Sequence, residues 1–264
     1  MRDDEAVMQH TEGHFTLRLA QDSRDLAAAQ RLRYRVFVEE LGADGPMGDH
    51  EARLERDAFD PLFDHLLLID TRRDAAALDD VVGVYRLLPG ARLHAGQRFY
   101  SESEFDLSAL RRSGRELLEL GRSCVHPDYR KGSAMFLLWN SLAEYILARG
   151  VEVMFGAASF HGTDVAALAQ PLAHLHHNHL APEALRVRAI GPNAQRMDLV
   201  PKADVDRRAA MLGTPALIKA YLRLGGFVGE GAYLDHDFNT TDVCVVMDTE
   251  LMSVRHRRFY EGRQ

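Results

Sequence analysis

Residues 117–134 read LLELGRSCVHPDYRKGSA, and this stretch decides the fold. The stretch begins with an apolar run that contains Glu119 and Arg122. A short polar segment follows, and an amphipathic segment begins at Ala134. The pattern predicts a strand, a loop and a helix that ends at Gly150. Backbone N–H groups and the positive end of the helix dipole then meet in the loop, an arrangement that suits a phosphate.

Two charged residues interrupt the predicted strand. Glu119 and Arg122 lie three residues apart, so a regular strand places them on opposite faces. They form either an ion pair on an exposed face or part of a catalytic site. The ion pair requires a local distortion such as a bulge at Gly121.

The remaining sequence alternates strand and helix patterns. Residue 151 follows the glycine stop directly, so the strands on either side of the helix are expected to be parallel. This order is typical of an α/β fold with a mixed sheet and helices on both faces. Strands are predicted at 14–20, 65–71, 81–88, 116–125, 151–157, 185–190, 227–234 and 243–247, and helices at 23–37, 134–149, 163–180 and 215–224.

Composition narrows the class of protein. The 264 residues contain no repeat and no linker long enough to separate domains, so one domain over 1–264 is expected. The net charge of −7 argues against general nucleic-acid binding. The polar N-terminus and the lack of a long apolar run predict a cytoplasmic protein. Cys124 and Cys244 have no metal-ligand spacing and are interpreted as reduced core thiols.

The strand, small-residue loop and helix resemble the pantetheine-binding core of the GNAT acyltransferases. Gly132 and Ala134 stand at the later small-residue positions of the GNAT loop motif. Tyr129 stands where that motif usually has Arg or Gln, which favours a carrier-protein donor over free coenzyme A. The resemblance implies a donor site formed by Cys124, Val125, His126, Arg130, Lys131, Gly132 and Ala134.

A second set of residues is similar in order and spacing to the acyl-homoserine-lactone synthases, which are GNAT-like and use acyl carrier protein. Taken singly, Arg33 is explained by a solvated helix face, and Asp57 and Asp60 by a turn. The occurrence of all these residues in one chain, in this order, favours an active site. The resemblance implies an active site lined by Arg33, Phe37, Asp57, Asp60, Arg86, Glu119 and Arg122.

The C-terminal half is similar to the bacterial ornithine N-acyltransferases. Residues 215–225, PALIKAYLRLG, and 235–243, DHDFNTTDV, carry this resemblance, which extends from about residue 17 to 259. It implies transfer of a 3-hydroxyacyl group from acyl carrier protein to the α-amine of ornithine, giving lyso-ornithine lipid, with a family-specific extension at about 200–264. Two alternatives stay open: an acyl-homoserine-lactone synthase that uses S-adenosylmethionine, and a non-catalytic acyl-carrier-binding protein.

Aminolysis of a thioester needs a proton acceptor and donors to the developing oxyanion. We predict that Glu119 accepts the amine proton, which requires burial to raise its pKa from the free value near 4.3. Backbone N–H groups of residues 124–126 are the predicted oxyanion donors.

The charged groups of the amino-acid acceptor and the acidic surface of the carrier protein are expected to bind oppositely charged residues of this chain. We predict that Arg33 and Arg122 bind the acceptor carboxylate, because guanidinium groups bind carboxylates bidentately. Asp57 and Asp60 would then hold the side-chain ammonium of ornithine. The predicted docking residues for the acidic carrier are Arg130 and Lys131, and Lys219 and Arg223 are further candidates.

No cofactor is expected, since 4′-phosphopantetheine arrives on the carrier. Histidines 174, 176, 177 and 179 have helical i, i+3 spacing, but no carboxylate is spaced to join them, so no metal is predicted. The basic and aromatic residues 255–260 fit either a solvated terminus or weak peripheral docking to an anionic inner membrane.

Overall fold

The computed structural model describes residues 9–250. Its strands are β1 Gln9–Glu12, β2 Phe15–Leu19, β3 Gly48–Asp49, β4 Leu54–Glu55, β5 Asp64–Asp70, β6 Val81–Pro89, β7 Phe105–Asp106, β8 Leu117–Val125, β9 Val153–His161, β10 Arg188–Ala189, β11 Ala194–Gln195, β12 Phe227–Val228, β13 Ala232–Asp235 and β14 Thr240–Asp248. Its helices are α1 Ser23–Arg33, which continues as the π-helix Tyr34–Glu40, α2 Ser108–Arg112, α3 Ala134–Ala148, α4 Ala169–His179, α5 Arg207–Gly213 and α6 Ala216–Arg223. Short 3-10 helices include Asp60–Leu62, Tyr100–Ser103, Pro127–Tyr129 and Lys202–Asp204.

The chain forms two compact units, each assembled from separate stretches of sequence. The first unit takes residues up to Leu88 and the stretch from Leu120 to Gly150. The second takes Pro89 to Glu119 and the chain from Val151 onward. The described part of the predicted C-terminal extension belongs to the second unit, and the single-domain organisation stays a prediction.

The first unit has a sheet in the order β1-β2-β5-β6-β8. Leu67 of β5 shares a core cluster with Ala28 and Leu32 of α1. On the other face, a Cβ added to Gly83 of β6 would lie 2.8 Å from Leu138 of α3, so the glycine lets this helix approach closely. The prediction of helices on both faces is confirmed for this unit.

In the second unit β8 and β9 are parallel, as the glycine stop predicted. Among the described residues their ladder comprises three pairs, from Leu117–Val153 to Glu119–Phe155. β9 nevertheless continues to His161, paired throughout with the antiparallel β14. The parallel ladder therefore ends at the glutamate of the sequence motif.

Two predicted strands of the second unit differ from the structure, and one helix of this unit was not predicted. The strand predicted at 185–190 is reduced to β10, and the one at 227–234 divides into β12 and β13. A Cβ on Gly229 would lie 2.5 Å from the Val187 side chain, and this close approach separates the two short strands. The helix α5 was not predicted, although Asp206 caps it by accepting the N–H groups of Arg208 and Ala209.

Candidate active site

An arginine–carboxylate cluster lies in the first unit. It consists of three guanidinium groups and three carboxylates, so its formal charge is zero. Five of its six members were predicted from the sequence as site residues. The members are Arg33 of α1, Arg86 of β6, Arg122 of β8, Glu55 of β4, Asp57, and Asp60 of a 3-10 helix.

Arg33 is held from two sides and its side chain is 0% exposed. Its Nε donates to Glu55 Oε2, and its Nη2 donates to the Glu55 carbonyl oxygen at 2.8 Å. Its Nη1 donates to Asp60 Oδ1 at 2.7 Å. Arg33 therefore joins α1 to the chain segment that follows it and has no face open to a substrate.

Arg86 is the second buried cation of the cluster. Its Nη1 lies 2.8 Å from both carboxylate oxygens of Asp57 and 3.0 Å from Asp60 Oδ1. Its guanidinium carbon stands 4.2 Å from the centroid of the Phe63 ring. Burial lowers the pKa of Arg86, and repulsion from the neighbouring arginines lowers it further.

The two aspartates stay ionised in this cluster. Burial alone raises the pKa of Asp60, but the charge and hydrogen bonds of Arg33, followed by Arg86, outweigh that effect and place the pKa well below its usual range. The pKa of Asp57 is likewise lowered, since Arg86 and Arg122 outweigh its burial. Both carboxylates are thus neutralised by arginine.

These contacts bear on three predicted roles. Arg33 is completely enclosed and paired with Glu55 and Asp60, which contradicts its predicted contact with the acceptor carboxylate. Arginines bind the oxygens of Asp57 and Asp60, and the contact of these aspartates with a substrate ammonium stays a prediction. The sequence grouped these residues correctly but did not show that they pair with one another.

Arg122 is the most accessible arginine of the cluster, with 11% of its side chain exposed. Its Nε donates to Glu55 Oε1 at 3.1 Å, and its Nη2 lies 3.4 Å from Asp57 Oδ2. Its backbone φ is +49°, a left-handed value that is uncommon for a residue with a side chain. The distortion of β8 that the exposed ion pair required lies at Arg122 itself and not at Gly121.

The sequence analysis missed Glu55 and Gln30 and assigned Phe37 differently. Glu55 bridges Arg33 and Arg122, and its place two residues before Asp57 was the available signal. Gln30 Nε2 donates to Asp60 Oδ2 at 2.8 Å. Phe37, predicted to contact substrate, packs against the core cluster of the first unit.

Glu119 lies in the second unit and is 1% exposed. Its carboxylate accepts hydrogen bonds from the Tyr100 N–H at 2.8 Å, the Ser101 N–H at 2.6 Å and the Ser101 hydroxyl at 2.5 Å. Glu119 is therefore as buried as the predicted general base requires. Sequence patterns missed these donors because they come from a single short 3-10 turn, Tyr100–Ser103.

The turn that supplies these donors is itself fixed. Glu102 accepts the Phe99 N–H at 2.8 Å, and Arg111 binds Glu102 with two contacts of 2.7 Å. The Phe99 ring meets the Phe155 ring edge to face, with centroids 5.0 Å apart. Phe155 is the residue paired with Glu119 across the parallel ladder, so the orientation of the carboxylate is determined by packed elements.

The predicted donor loop between β8 and α3 lies in the first unit. Tyr129, the residue that departs from the GNAT motif, donates its hydroxyl to Asp70 Oδ2 at 2.7 Å. Gly132 is exposed, and Ala134 is buried as the first residue of α3. No side chain caps α3 at Ser133, and its first turn has no acidic residue. The positive end of the helix dipole at this loop thus has no negative partner from its own first turn.

One predicted oxyanion donor is corrected. The His126 N–H donates to the Val82 carbonyl at 2.9 Å within the sheet, so it is not available to a substrate. N–H groups alternate in direction along a strand, so that of Val125 points to the opposite edge. The His126 ring binds Arg35 through Nε2, and burial, together with Arg35 and Arg73, lowers its pKa.

The two predicted docking cations differ in their contacts. Arg130 pairs with both carboxylate oxygens of Glu40, at 2.5 and 2.6 Å, so its charge is compensated. Lys131 is exposed. Lys131 therefore keeps its predicted role, and Arg130 serves to fix the loop to the π-helix.

Cys124 and Cys244 are buried and unpaired, as predicted. Burial raises the pKa of Cys124 to about 12, so the thiolate is not populated near neutral pH. We expect Cys124→Ser to retain most of its acyl-transfer rate, measured beside its unfolding midpoint. Near-total loss of turnover in a folded variant would instead indicate a covalent intermediate on this sulfur.

The predicted histidine cluster shows ordinary helix-end contacts. His177 Nε2 lies 2.9 Å from the Val200 carbonyl, and Asn178 Nδ2 donates to the His174 carbonyl at 3.0 Å. Within residues 9–250, three carboxylates of the second unit have oxygens within 4.8 Å of one another: Glu104, Asp235 and Asp242. Acidic side chains often lie this close without an ion, and the absence of a metal stays a prediction.

Comparison with known proteins places the chain among acyltransferases. The acetyltransferase (GNAT) domain family matches residues 32–140. The chain is 63% identical over 249 residues to an L-ornithine N(alpha)-acyltransferase of Rhodobacter capsulatus, a match that covers 94% of this chain and 95% of that relative. The chain belongs to the L-ornithine N(alpha)-acyltransferase family.

Two further relatives of this acyltransferase carry the same name. The L-ornithine N(alpha)-acyltransferase of Brucella abortus is 40% identical, and the match covers 97% of this chain and 92% of that relative. The enzyme of the same name from Agrobacterium fabrum is 42% identical, and the match covers 95% of this chain and 86% of that relative. The predicted enzyme class is therefore confirmed.

Solved structures show the same fold. An N-acyl amino acid synthase from uncultured soil microbes matches with a TM-score of 0.51 at 11% identity, over 92% of this chain and 97% of that one. The AHL synthase LasI matches with a TM-score of 0.51 at 15% identity, over 96% and 98%. At these identities the likeness concerns the fold alone. Among residues 9–250, no helix of the acyltransferase is long and apolar enough to cross a membrane.

Proposed function

We propose that this acyltransferase moves a 3-hydroxyacyl group from acyl carrier protein to the α-amine of L-ornithine, giving a lyso-ornithine lipid. The match to the Rhodobacter capsulatus relative carries the proposal, since it spans nearly the full length of both chains. The name of that relative supplies the acceptor and the position of acylation.

The loop before α3 supports a phosphopantetheine donor. The first turn of α3 has no side-chain cap at Ser133 and no acidic residue, and the positive end of its dipole lies beside Gly132, which suits one phosphate group. Tyr129 is engaged with Asp70 and adds no cation for a second phosphate. A carrier-bound pantetheine presents a single phosphate, whereas in coenzyme A that phosphate is part of a pyrophosphate.

The proposed reaction is a direct aminolysis. The α-amine attacks the thioester carbon, the C–S bond breaks, and the carrier leaves as a thiol while the amide forms. Glu119 accepts the proton released by the amine and passes it to the departing sulfur. The Val125 N–H stabilises the oxyanion, and no protein nucleophile takes part.

The acceptor site is proposed around Arg122. Its guanidinium is the most exposed of the three in the cluster, and a carboxylate binds such a group through two parallel hydrogen bonds. Arg33 and Arg86 support Arg122 indirectly, because they neutralise Glu55, Asp57 and Asp60. They are therefore positioning residues in this proposal.

A panel of donors and acceptors tests this function. We expect the full chain to form Nα-(3-hydroxyacyl)ornithine from the 3-hydroxyacyl carrier, detected by mass spectrometry, and much less product from the matching coenzyme A thioester. Glutamine, lysine and S-adenosylmethionine serve as competing acceptors. A preference for coenzyme A would refute the donor, and a homoserine lactone product would favour the alternative synthase.

A further inference from the structure

A basic groove lies in the second unit, beside the end of α4 that carries His174 and Asn178. Two adjoining cavities of about 560 and 530 Å³ share Arg207, Met211, Lys219 and Arg223 as lining residues. They are bordered by the end of α4, the 3-10 helix Lys202–Asp204, α5 and α6. The cations that line this basic groove are Lys202, Arg207, Arg208, Lys219 and Arg223.

The charge of the groove is not compensated by the protein. In the described part of the chain, none of the five cations lies within 4.0 Å of a carboxylate oxygen. Arg188 and Arg196 of the same unit are also exposed, yet they pair with Glu183 and Asp198. The contrast is informative, because the whole chain carries a net charge of −7.

The elements that border the groove contribute two acidic residues, Asp204 and Asp206. Asp206 is occupied by the backbone N–H groups at the start of α5, at 2.8 and 3.0 Å. Asp204 is an exposed residue of the neighbouring 3-10 helix, and the five cations outnumber these two carboxylates. The groove thus presents a local positive field that attracts anions.

An exposed apolar side chain accompanies the cations. Leu212 on α5 is 76% exposed, the largest value among the exposed large hydrophobic residues of the described chain. It also lines the groove together with Arg207 and Arg208. A protruding leucine beside several cations is the combination that binds an anionic membrane surface, since the leucine enters the interface while the cations meet phosphates.

We propose that the basic groove and Leu212 dock this enzyme on an anionic lipid bilayer. A bilayer fits both parts of the surface, because its headgroups supply many phosphates and its interface accepts a single apolar side chain. This docking rests on the proposed function, because a product with a long acyl chain would pass from the enzyme into the membrane. An acidic carrier protein is the competing partner for the same charges.

Vesicle sedimentation of the full-length chain tests the proposal. We expect binding to phosphatidylcholine vesicles only when they contain phosphatidylglycerol, and weaker binding as salt increases. The double change Arg207→Glu and Arg208→Glu should lower the affinity by about tenfold or more. Leu212→Ser should lower it several-fold without changing the net charge.

The matched control is the double change Arg188→Glu and Arg196→Glu. It alters the net charge equally but affects cations that are already paired, so vesicle binding should stay near that of the unmodified chain. Every variant keeps residues 251–264, which contain further basic residues, so a difference between variants reports the groove alone.

Acyl-transfer kinetics without vesicles separate the two partners. The groove variant should keep the KM for the acyl carrier close to that of the unmodified enzyme. Unchanged vesicle binding together with a raised carrier KM would overturn the proposal and assign the groove to the carrier. Failure of the unmodified chain to bind anionic vesicles would also overturn it. Vesicle binding without any acyl transfer would refute only the proposed function.

Discussion

Replacing Glu119 with glutamine is expected to lower kcat by about 10²–10⁴, the range for loss of a general base. The substitution keeps the shape of the side chain but removes its proton affinity. Measured turnover with the acyl carrier and ornithine gives the effect, and the KM values should change little by comparison.

A control is needed because Glu119 accepts three hydrogen bonds from Tyr100 and Ser101. A glutamine amide would direct an N–H group at one of these donors and so disturb the turn. Ser101→Ala removes one donor and leaves the carboxylate in place, so it should cost far less activity. If Glu119→Gln keeps near wild-type turnover while folded, Glu119 has no part in proton transfer.

Replacing Arg33 with leucine should lower the free energy of unfolding by about 3–5 kcal/mol, the cost of breaking a buried ion pair. The change leaves Glu55 and Asp60 in a site that water does not reach. Chemical denaturation, followed by circular dichroism, measures the effect. Arg53→Leu is the matched control, because Arg53 pairs with Glu39 at the surface and should contribute little.

The pH dependence of stability provides a second test of this cluster. The folded pKa of Asp60 lies below its ordinary value of 3.8, so its stabilisation is complete above that pH and is lost as the pH falls through the folded pKa. Without Arg33 this acid-side loss should begin at a higher pH. A loss under about 1 kcal/mol for Arg33→Leu would show that the cluster is solvated, as exposed pairs are.

The amino-acid sequence by itself determined the local elements of the motif. The strand β8, the loop and the helix α3 follow from short-range periodicity and from the glycine at residue 150, both of which act over a few residues. The resemblance to the acyl-homoserine-lactone synthases, in the order and spacing of these residues, grouped Arg33, Asp57 and Arg86 with Arg122.

Only the tertiary structure decided what these charges do. Arg33 meets Asp60 across 27 residues of sequence, and Arg130 meets Glu40 across 90, so their neutralisation depends on how distant segments pack. The Tyr100 and Ser101 donors to Glu119, the engaged N–H of His126 and the unpaired cations of the basic groove have the same origin. Periodicity shows which side chains are charged, but the folded chain determines whether a charge meets a partner or remains available to bind another molecule.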